Sequence, residues 1–323
     1  MPRKKRTSHS WVYAIWGINA ALVFSLLAGG MFYLNNQRVS AANDPLAAPP
    51  SPTSTLKLAP TIYYLPTLTP NPHATAPVFE TPTPFILDYG QPSKIIGLSH
   101  GGRPIDVYTF GGGEREYLIV AGIHGGYEGN TIGLANELIR YIIDHPEVIP
   151  SGVTLHIIRN MNPDGEARSN GVDGRVNNRG VDLNRNFPSS NWTADWDRDG
   201  CWVWRPTTGG DYGGSEPETR AVMSFISMHN IAALISYHSA ALGVFPGGDP
   251  WEPQSIRLAK ALAKATGYPY PPIDTGCEYT GTLADWAVEN GVGAAVDMEL
   301  ANHKDTDFKQ NLEALKVFLN FVP

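Results

Sequence analysis

The sequence predicts an α/β domain built on a mixed, mainly parallel sheet, and three observations predict it. Short apolar runs bounded by glycine or polar residues recur at Tyr117 to Ala121, Val153 to Ile158, Ile231 to Tyr237 and Gly293 to Met298. Continuous runs of this length suit strands buried on both faces. Between them lie segments with helical apolar spacing, at Thr131 to Asp144, Trp251 to Thr266 and Asp307 to Phe321, and strands alternating with helices build parallel sheets. Finally, groups capable of chemistry stand where several runs end, which is where open α/β sheets collect ligands and catalytic residues.

Taken in order, Lys94 to Leu98 and Pro104 to Phe110 read as short strands around the turn His100-Gly101-Gly102. The Tyr117 run follows, and the helix from Thr131 stops before Pro146, which cannot continue it. Ser215, with Glu218 three residues on, has the pattern of a capping box opening a further helix. No internal repeat is evident.

This domain spans residues 86–323, and three segments precede it. Residues 1–10 form a basic arm with Arg3, Lys4, Lys5 and Arg6 in one cluster. Residues 11–34 carry no charge, and these 24 residues, at roughly 1.5 Å each, cross a hydrocarbon core of about 30 Å with some tilt. The basic cluster before them places the arm in the cytoplasm and the domain outside it. The competing reading is a cleavable signal peptide with Val39-Ser40-Ala41 as the processing site; the apolar run is longer than a usual signal core, which favours an anchor. Residues 35–85 are rich in proline and threonine, with Lys57 and Glu80 the only charges between Pro45 and Pro84. Such a stretch buries too little apolar surface to offset its ordering entropy, so it reads as an extended linker. Tyr63 and Tyr64 are either a small docking patch or part of that plain linker.

The net charge is −7, and the basic arm's +4 leaves −11 on the remainder. That excludes a surface built to neutralise nucleic-acid phosphates. Cys201 and Cys277 are the two cysteines; outside the cytoplasm a disulfide between them is permitted, though spacing alone does not establish it.

Four clusters carry chemistry. His124 and Glu128 follow the Tyr117 run; Asn162 to Pro188 is dense in Arg and Asn, which suits the bidentate grip of a carboxylate; His238 and Glu299 sit at the ends of two later runs. Two histidines and a glutamate from separate strand ends match a catalytic zinc site with an open position, and a further carboxylate can take a proton from water there. Asp195, Asp197, Asp199 and Gly200 resemble the start of a calcium loop, but Pro206 stands where the twelfth-position glutamate belongs, so a polar surface loop is the alternative. His100, His145, His156, His229 and His303 lack partners at ligand spacing and read as surface or core histidines. Trp192, Trp196, Trp202 and Trp204 either line a cleft rim or pack in the core.

NPDG (Asn162 to Gly165), GVDLNRNFP (Gly180 to Pro188), SEPET (Ser215 to Thr219), SYHS and TGTLADWA before MEL occur in an order that resembles the zinc carboxypeptidase family. The resemblance runs from about Ile95 to the C-terminus and is strongest to bacterial members, including murein-peptide amidases that cut the γ-D-glutamyl–diaminopimelate bond. It implies the family's mixed sheet with helices on both faces. It implies that His124, Glu128 and His238 ligate Zn2+, that Glu299 is general base and acid, and that Asn184 and Arg185 hold a substrate carboxylate. Arg175, with Arg179 as the alternative, would stabilise the oxyanion; the mobile tyrosine falls at Tyr279, and the position governing side-chain preference falls near Ala284. One departure stands out: the family has two residues between the first histidine and the glutamate, whereas three stand here, and Tyr127 takes the usual ligand position. Glycine on either side of that loop should let Glu128 reach. The expected function is a membrane-anchored, extracytoplasmic zinc metallopeptidase acting on peptides, with peptidoglycan-derived peptides favoured. A carboxypeptidase acting on ordinary peptides and a metal-free binding domain are the competitors.

Overall fold

The strands among the described residues form one mixed sheet whose carboxyl edge carries the chemistry. A computed structural model describes residues 93–196, 202 and 204–323, all within the unit Phe79–Pro323. The arm, anchor and linker expected over residues 1–85, and Asp197, Asp199, Gly200 and Cys201, lie outside the described residues. Among the described residues no helix is long and apolar enough to cross a membrane.

The strands are β1 (Lys94–Leu98), β2 (Pro104–Gly111), β3 (Arg115–Val120), β4 (Val153–Ile158), β5 (Ile231–Ser239), β6 (Gly243–Pro246) and β7 (Ala295–Leu300), in spatial order β1-β2-β4-β3-β5-β7-β6. The central four, β4, β3, β5 and β7, are parallel; β1, β2 and β6 pair antiparallel at the margins. The helices are α1 (Gly129–Asp144), α2 (Pro163–Arg168), α3 (Pro217–Ser227), α4 (Pro253–Thr266), α5 (Leu283–Glu289) and α6 (Phe308–Asn320).

Strand period 2 divides the core. On β3, Tyr117 and Ile119 join a cluster with Leu134 and Leu138 of α1, Leu258 and Leu262 of α4 and Phe318 of α6. Leu118 and Val120 face the other way, against Phe225 of α3 and Leu283 and Trp286 of α5. Helices therefore cover both faces, and each fully buried Leu contributes on the order of 1.5–3 kcal/mol. The Tyr117 ring meets Phe318 edge-on at 5.1 Å between centroids, and its hydroxyl donates to the Phe321 carbonyl. That contact docks α6 onto the centre of the sheet.

Local expectations mostly survive packing, with three differences. The capping box at Ser215 does not form: α3 is capped at Glu216 without a side-chain bond, and Pro217 takes the first turn. Ser215 Oγ donates instead to Glu216 Oε1, and Glu218 accepts from the His100 backbone at 2.8 Å. Strand β6 is four residues of Gly-Val-Phe-Pro, too short and too broken by glycine and proline to read from sequence; as an edge strand it tolerates Pro246. Helix α5 is seven residues, too short for periodicity to show, and Thr282 caps it by accepting from the Asp285 amide at 3.1 Å.

Candidate active site

Beyond the carboxyl ends of β3, β5 and β7 lies a cleft of about 330 Å³ lined by His124, Glu128, Arg175, Arg185, His238 and Glu299, among others. His124 and Glu128 reach it through a short 3-10 turn, Gly125–Glu128, that leads straight into α1. Gly125 has φ +48, and a Cβ there would meet the backbone of Gly174 and Glu166 at 2.7 and 2.8 Å. Only glycine fits so tight a left-handed turn, and this turn absorbs the extra residue. Glu128 is brought inward, while Tyr127 turns toward Trp202 and His303 on the cleft wall.

His238 and Glu299 arrive by sheet register. They are direct neighbours across β5 and β7, as are Ser236 and Asp297 two residues earlier, so period 2 sets all four on one face. His124 Nδ1 lies 2.7 Å from Glu128 Oε1, His238 Nδ1 lies 3.3 Å from Glu128 Oε2, and the two Nδ1 atoms are 3.4 Å apart. Ligand atoms of a tetrahedral ion with bonds of 2.0–2.1 Å sit about 3.3 Å from one another. The far nitrogens are occupied: His124 Nε2 faces Asp182 Oδ1 at 3.1 Å, and His238 Nε2 faces Ser236 Oγ at 2.9 Å. That arrangement leaves Nδ1 of each ring pointing inward. Glu128 Oε2 is buried without a hydrogen-bond partner. The three residues fit a zinc-class ion.

The surrounding charges are strongly coupled. Burial alone would raise the Glu128 carboxyl, but the histidines, His124 foremost, hold it well below the usual carboxylate range. Burial would likewise raise Asp182, yet Arg175 and His124 outweigh it and keep it well below its ordinary value. His238 is pushed down by burial and lifted more strongly by Asp297 and Glu128, to about 10. Glu299 goes the other way: burial raises it, Glu128 adds to that, and the nearby histidines and the Ala241 N–H, 3.1 Å from Oε2, only partly offset it. A carboxyl so placed binds a proton more tightly than a solvated glutamate does.

Arg175 Nε donates to Asp182 Oδ2 at 2.8 Å, Nη1 is 3.6 Å from Glu128 Oε1, and the guanidinium stacks over Trp202 at 4.4 Å. Asn162 Nδ2 bonds the Arg175 carbonyl at 3.1 Å, and Asp164 accepts from Ser99, Gly101 and Arg103 of the β1–β2 turn. The NPDG motif is thus scaffolding that fixes Arg175. Arg185 lies between the rings of Trp196 (4.5 Å) and Tyr279 (4.9 Å); burial lowers its pKa, and its Nε is unpartnered. Asn184 lines the cleft, but its side chain is already engaged, with Oδ1 accepting from Leu283 N at 2.9 Å and Nδ2 3.3 Å from His238 Nε2.

Several expected positions lie elsewhere. Arg179 is turned away from the cleft, bonded to Asp211 at 2.6 Å and 3.4 Å from Glu216, because the loop wraps it against the start of α3. Arg168 spends its guanidinium on the carbonyls of Asp173 and Val176. The Arg- and Asn-rich loop is therefore largely self-binding, and Arg175, Asn184 and Arg185 are its cleft residues. Ala284 is buried in α5 and does not line the cleft; the charge there is Asp297, whose Oδ1 is buried without a hydrogen bond. Trp196 and Trp202 line the cleft, as does His303, held 3.1 Å from Ser239 Oγ. Cys277 is disulfide-bonded. Sequence reasoning passed over Asp182 and Asp297, although both sit two residues before a residue it did single out.

A model of the family described as zinc carboxypeptidase matches residues 92–316. The chain is 29% identical over 204 residues to murein peptide amidase A of Escherichia coli K12, covering 60% of this chain and 75% of that one. It is 36% identical over 135 residues to human carboxypeptidase A5, covering 38% and 30%. In fold it is similar to murein-tripeptide amidase MpaA from Escherichia coli O157, with a TM-score of 0.54, 24% identity and coverage of 72% and 92%. It is also similar to carboxypeptidase A from Helicoverpa armigera, with a TM-score of 0.60, 19% identity and coverage of 71% and 68%.

Proposed function

Because this chain belongs to the zinc carboxypeptidase family, we propose that it is a membrane-anchored, extracytoplasmic metallopeptidase. It hydrolyses an amide bond beside a carboxylate-bearing residue in peptidoglycan-derived peptides. The observation that carries the catalytic part is the convergence of His124, Glu128 and His238 in one cleft with Glu299 and Arg185.

His124, Glu128 and His238 hold the ion. Zinc there would lower the pKa of a water and polarise a carbonyl. Glu299, its carboxyl raised by burial, takes the proton from the attacking water and returns it to the departing amine nitrogen. Arg175, buried and fixed by Asp182 and the Asn162 side chain, is the cation available to the developing oxyanion. Arg185 receives the substrate carboxylate between Trp196 and Tyr279, and the Asn184 carbonyl, which accepts from Arg185 Nη1, braces that guanidinium.

Two features support a cell-wall substrate. Murein peptide amidases are among the relatives, and Asp297 sets a negative charge near Arg185 in the same cleft. A residue carrying both a carboxylate and an ammonium group suits that pair. The uncharged segment over residues 11–34, preceded by its basic arm, supports the anchor.

The decisive experiment incubates the zinc-loaded full-length chain with diaminopimelate-containing muropeptides and, separately, with ordinary peptides ending in Leu or Lys. We expect muropeptide cleavage that Glu299→Gln abolishes while zinc stays bound. Cleavage of the ordinary peptides alone would shift the reading to a general carboxypeptidase, and no hydrolysis with no bound zinc would leave a binding domain. Release of the chain from membranes by salt without detergent would count against the anchor.

A further inference from the structure

At the opposite end of the sheet from the cleft, a second group of potential ligands comes together. Glu116 is near the start of β3, His156 lies on β4, and His229 sits in the turn between α3 and β5. Glu116 and His156 share a sheet face, because β3 and β4 pair with Glu116 beside Thr154 and Leu118 beside His156. His229 Nδ1 is 2.8 Å from Glu116 Oε2, and His156 Nε2 is 3.6 Å from the same oxygen. These distances bracket the roughly 3.3 Å separation of ligand atoms around a tetrahedral ion.

The group is also prepared for a ligand in a second way. His156 is 3% exposed, and its Nε2 has no hydrogen-bond partner. Its other nitrogen, Nδ1, lies 3.0 Å from Thr109 Oγ1. With Nδ1–H donating to that hydroxyl, Nε2 presents a buried lone pair to the cluster, as in a ligating imidazole oriented by an outer partner. Phe225 packs against both imidazoles, stacked on His229 at 4.3 Å and edge-on to His156 at 5.2 Å, so the rings are held in place. Glu116 and His229 are partly exposed, which leaves an entry route and room for water as a fourth ligand.

We propose that Glu116, His156 and His229 form a second site for a zinc-class divalent cation, separate from the catalytic centre. Two imidazoles and one carboxylate suit zinc, cobalt or nickel and not the all-oxygen preferences of calcium or magnesium. The ion would clip the start of β3 and the middle of β4 to the turn that feeds β5.

The test counts zinc in the full-length chain by equilibrium dialysis, with thermal melting to establish that each variant is folded. Wild type should hold two equivalents. His229→Ala and Glu116→Gln should each hold one, with kcat on the cleaved substrate unchanged. In the pair His124→Ala and His238→Ala one equivalent should remain, and adding His229→Ala should remove it. Loss of a direct ligand should weaken this site by more than the roughly 10–100-fold that an outer partner costs. No equivalent left in the pair His124→Ala and His238→Ala, or a wild-type count unchanged in both His229→Ala and Glu116→Gln, overturns the proposal. If His229→Ala does not fold, the isosteric and partly exposed Glu116→Gln decides alone.

Discussion

Asp182 links the two halves of the cleft, one carboxylate oxygen on His124 Nε2 and the other on Arg175 Nε. It does not touch the space where a substrate would lie, yet it orients a candidate zinc ligand and the candidate oxyanion cation together. Asp182→Asn keeps the shape and loses the charge, so we expect zinc affinity to fall by about 10–100-fold, measured by competition with a chromogenic chelator. Unchanged affinity would mean that His124 needs no partner to hold its orientation. The motif residues divide in the same way at this scale. Asn162 and Asp164 were legible as a motif, but their work is to fix Arg175 and the β1–β2 turn. Asn184 was legible as a site residue, and it spends its amide on Leu283 and on His238. Residue type and order mark such positions; which neighbour each side chain bonds depends on the loop's path through space.

At the scale of elements, the turn between β3 and α1 is the sensitive one. It must bring a histidine and a glutamate four residues apart to one point, and Gly125 makes that possible at φ +48 with backbone packed on its open side. Gly125→Ala adds a left-handed penalty of about 1–2 kcal/mol and forces the neighbouring backbone to shift. We expect that variant to melt lower and to bind zinc more weakly while its circular dichroism stays native. Full zinc affinity in Gly125→Ala would show that the turn has slack. Helix α5 offers a second test. Asp285 is half-buried in its first turn, accepting from Gly248 N at 2.7 Å, and desolvation, opposed by Thr282 and reinforced by Asp297, pushes its carboxyl up to about 6. A raised acid holds its proton better when folded, so its contribution is fully present below about pH 4 and lost as pH rises through about 6. From pH 4 to 7 the unfolding free energy of the native chain should fall further than that of Asp285→Asn, by on the order of 3 kcal/mol. Denaturant titrations at the two pH values read this directly, and parallel losses would refute a raised acid at Asp285.

Over the whole molecule, one sheet serves two ends. Its carboxyl edge gathers His124, His238 and Glu299, while its amino edge gathers Glu116 and His229 beside His156 on β4. Helices on both faces bury the apolar runs, so the strands are held in register from both sides. This rigidity lets side chains from distant segments converge within a few ångströms. The sites are separated along the strands, so metal at one and chemistry at the other can be tested independently.

The sequence by itself determined the fold class, the central strands and the main helices, because apolar periodicity is a local property that burial then rewards. The same holds for His124, His238 and Glu299, which stand at run ends and so had to fall on the sheet's carboxyl edge. Tertiary structure alone decided three matters. It turned Arg179 away toward Asp211 and Glu216, put Asp297 rather than Ala284 at the cleft, and joined His156 to His229 although 73 residues of sequence separate them. Each depends on strand register or on the course of a long loop. Those are set by the packing of the whole sheet, and no local pattern of residues encodes them.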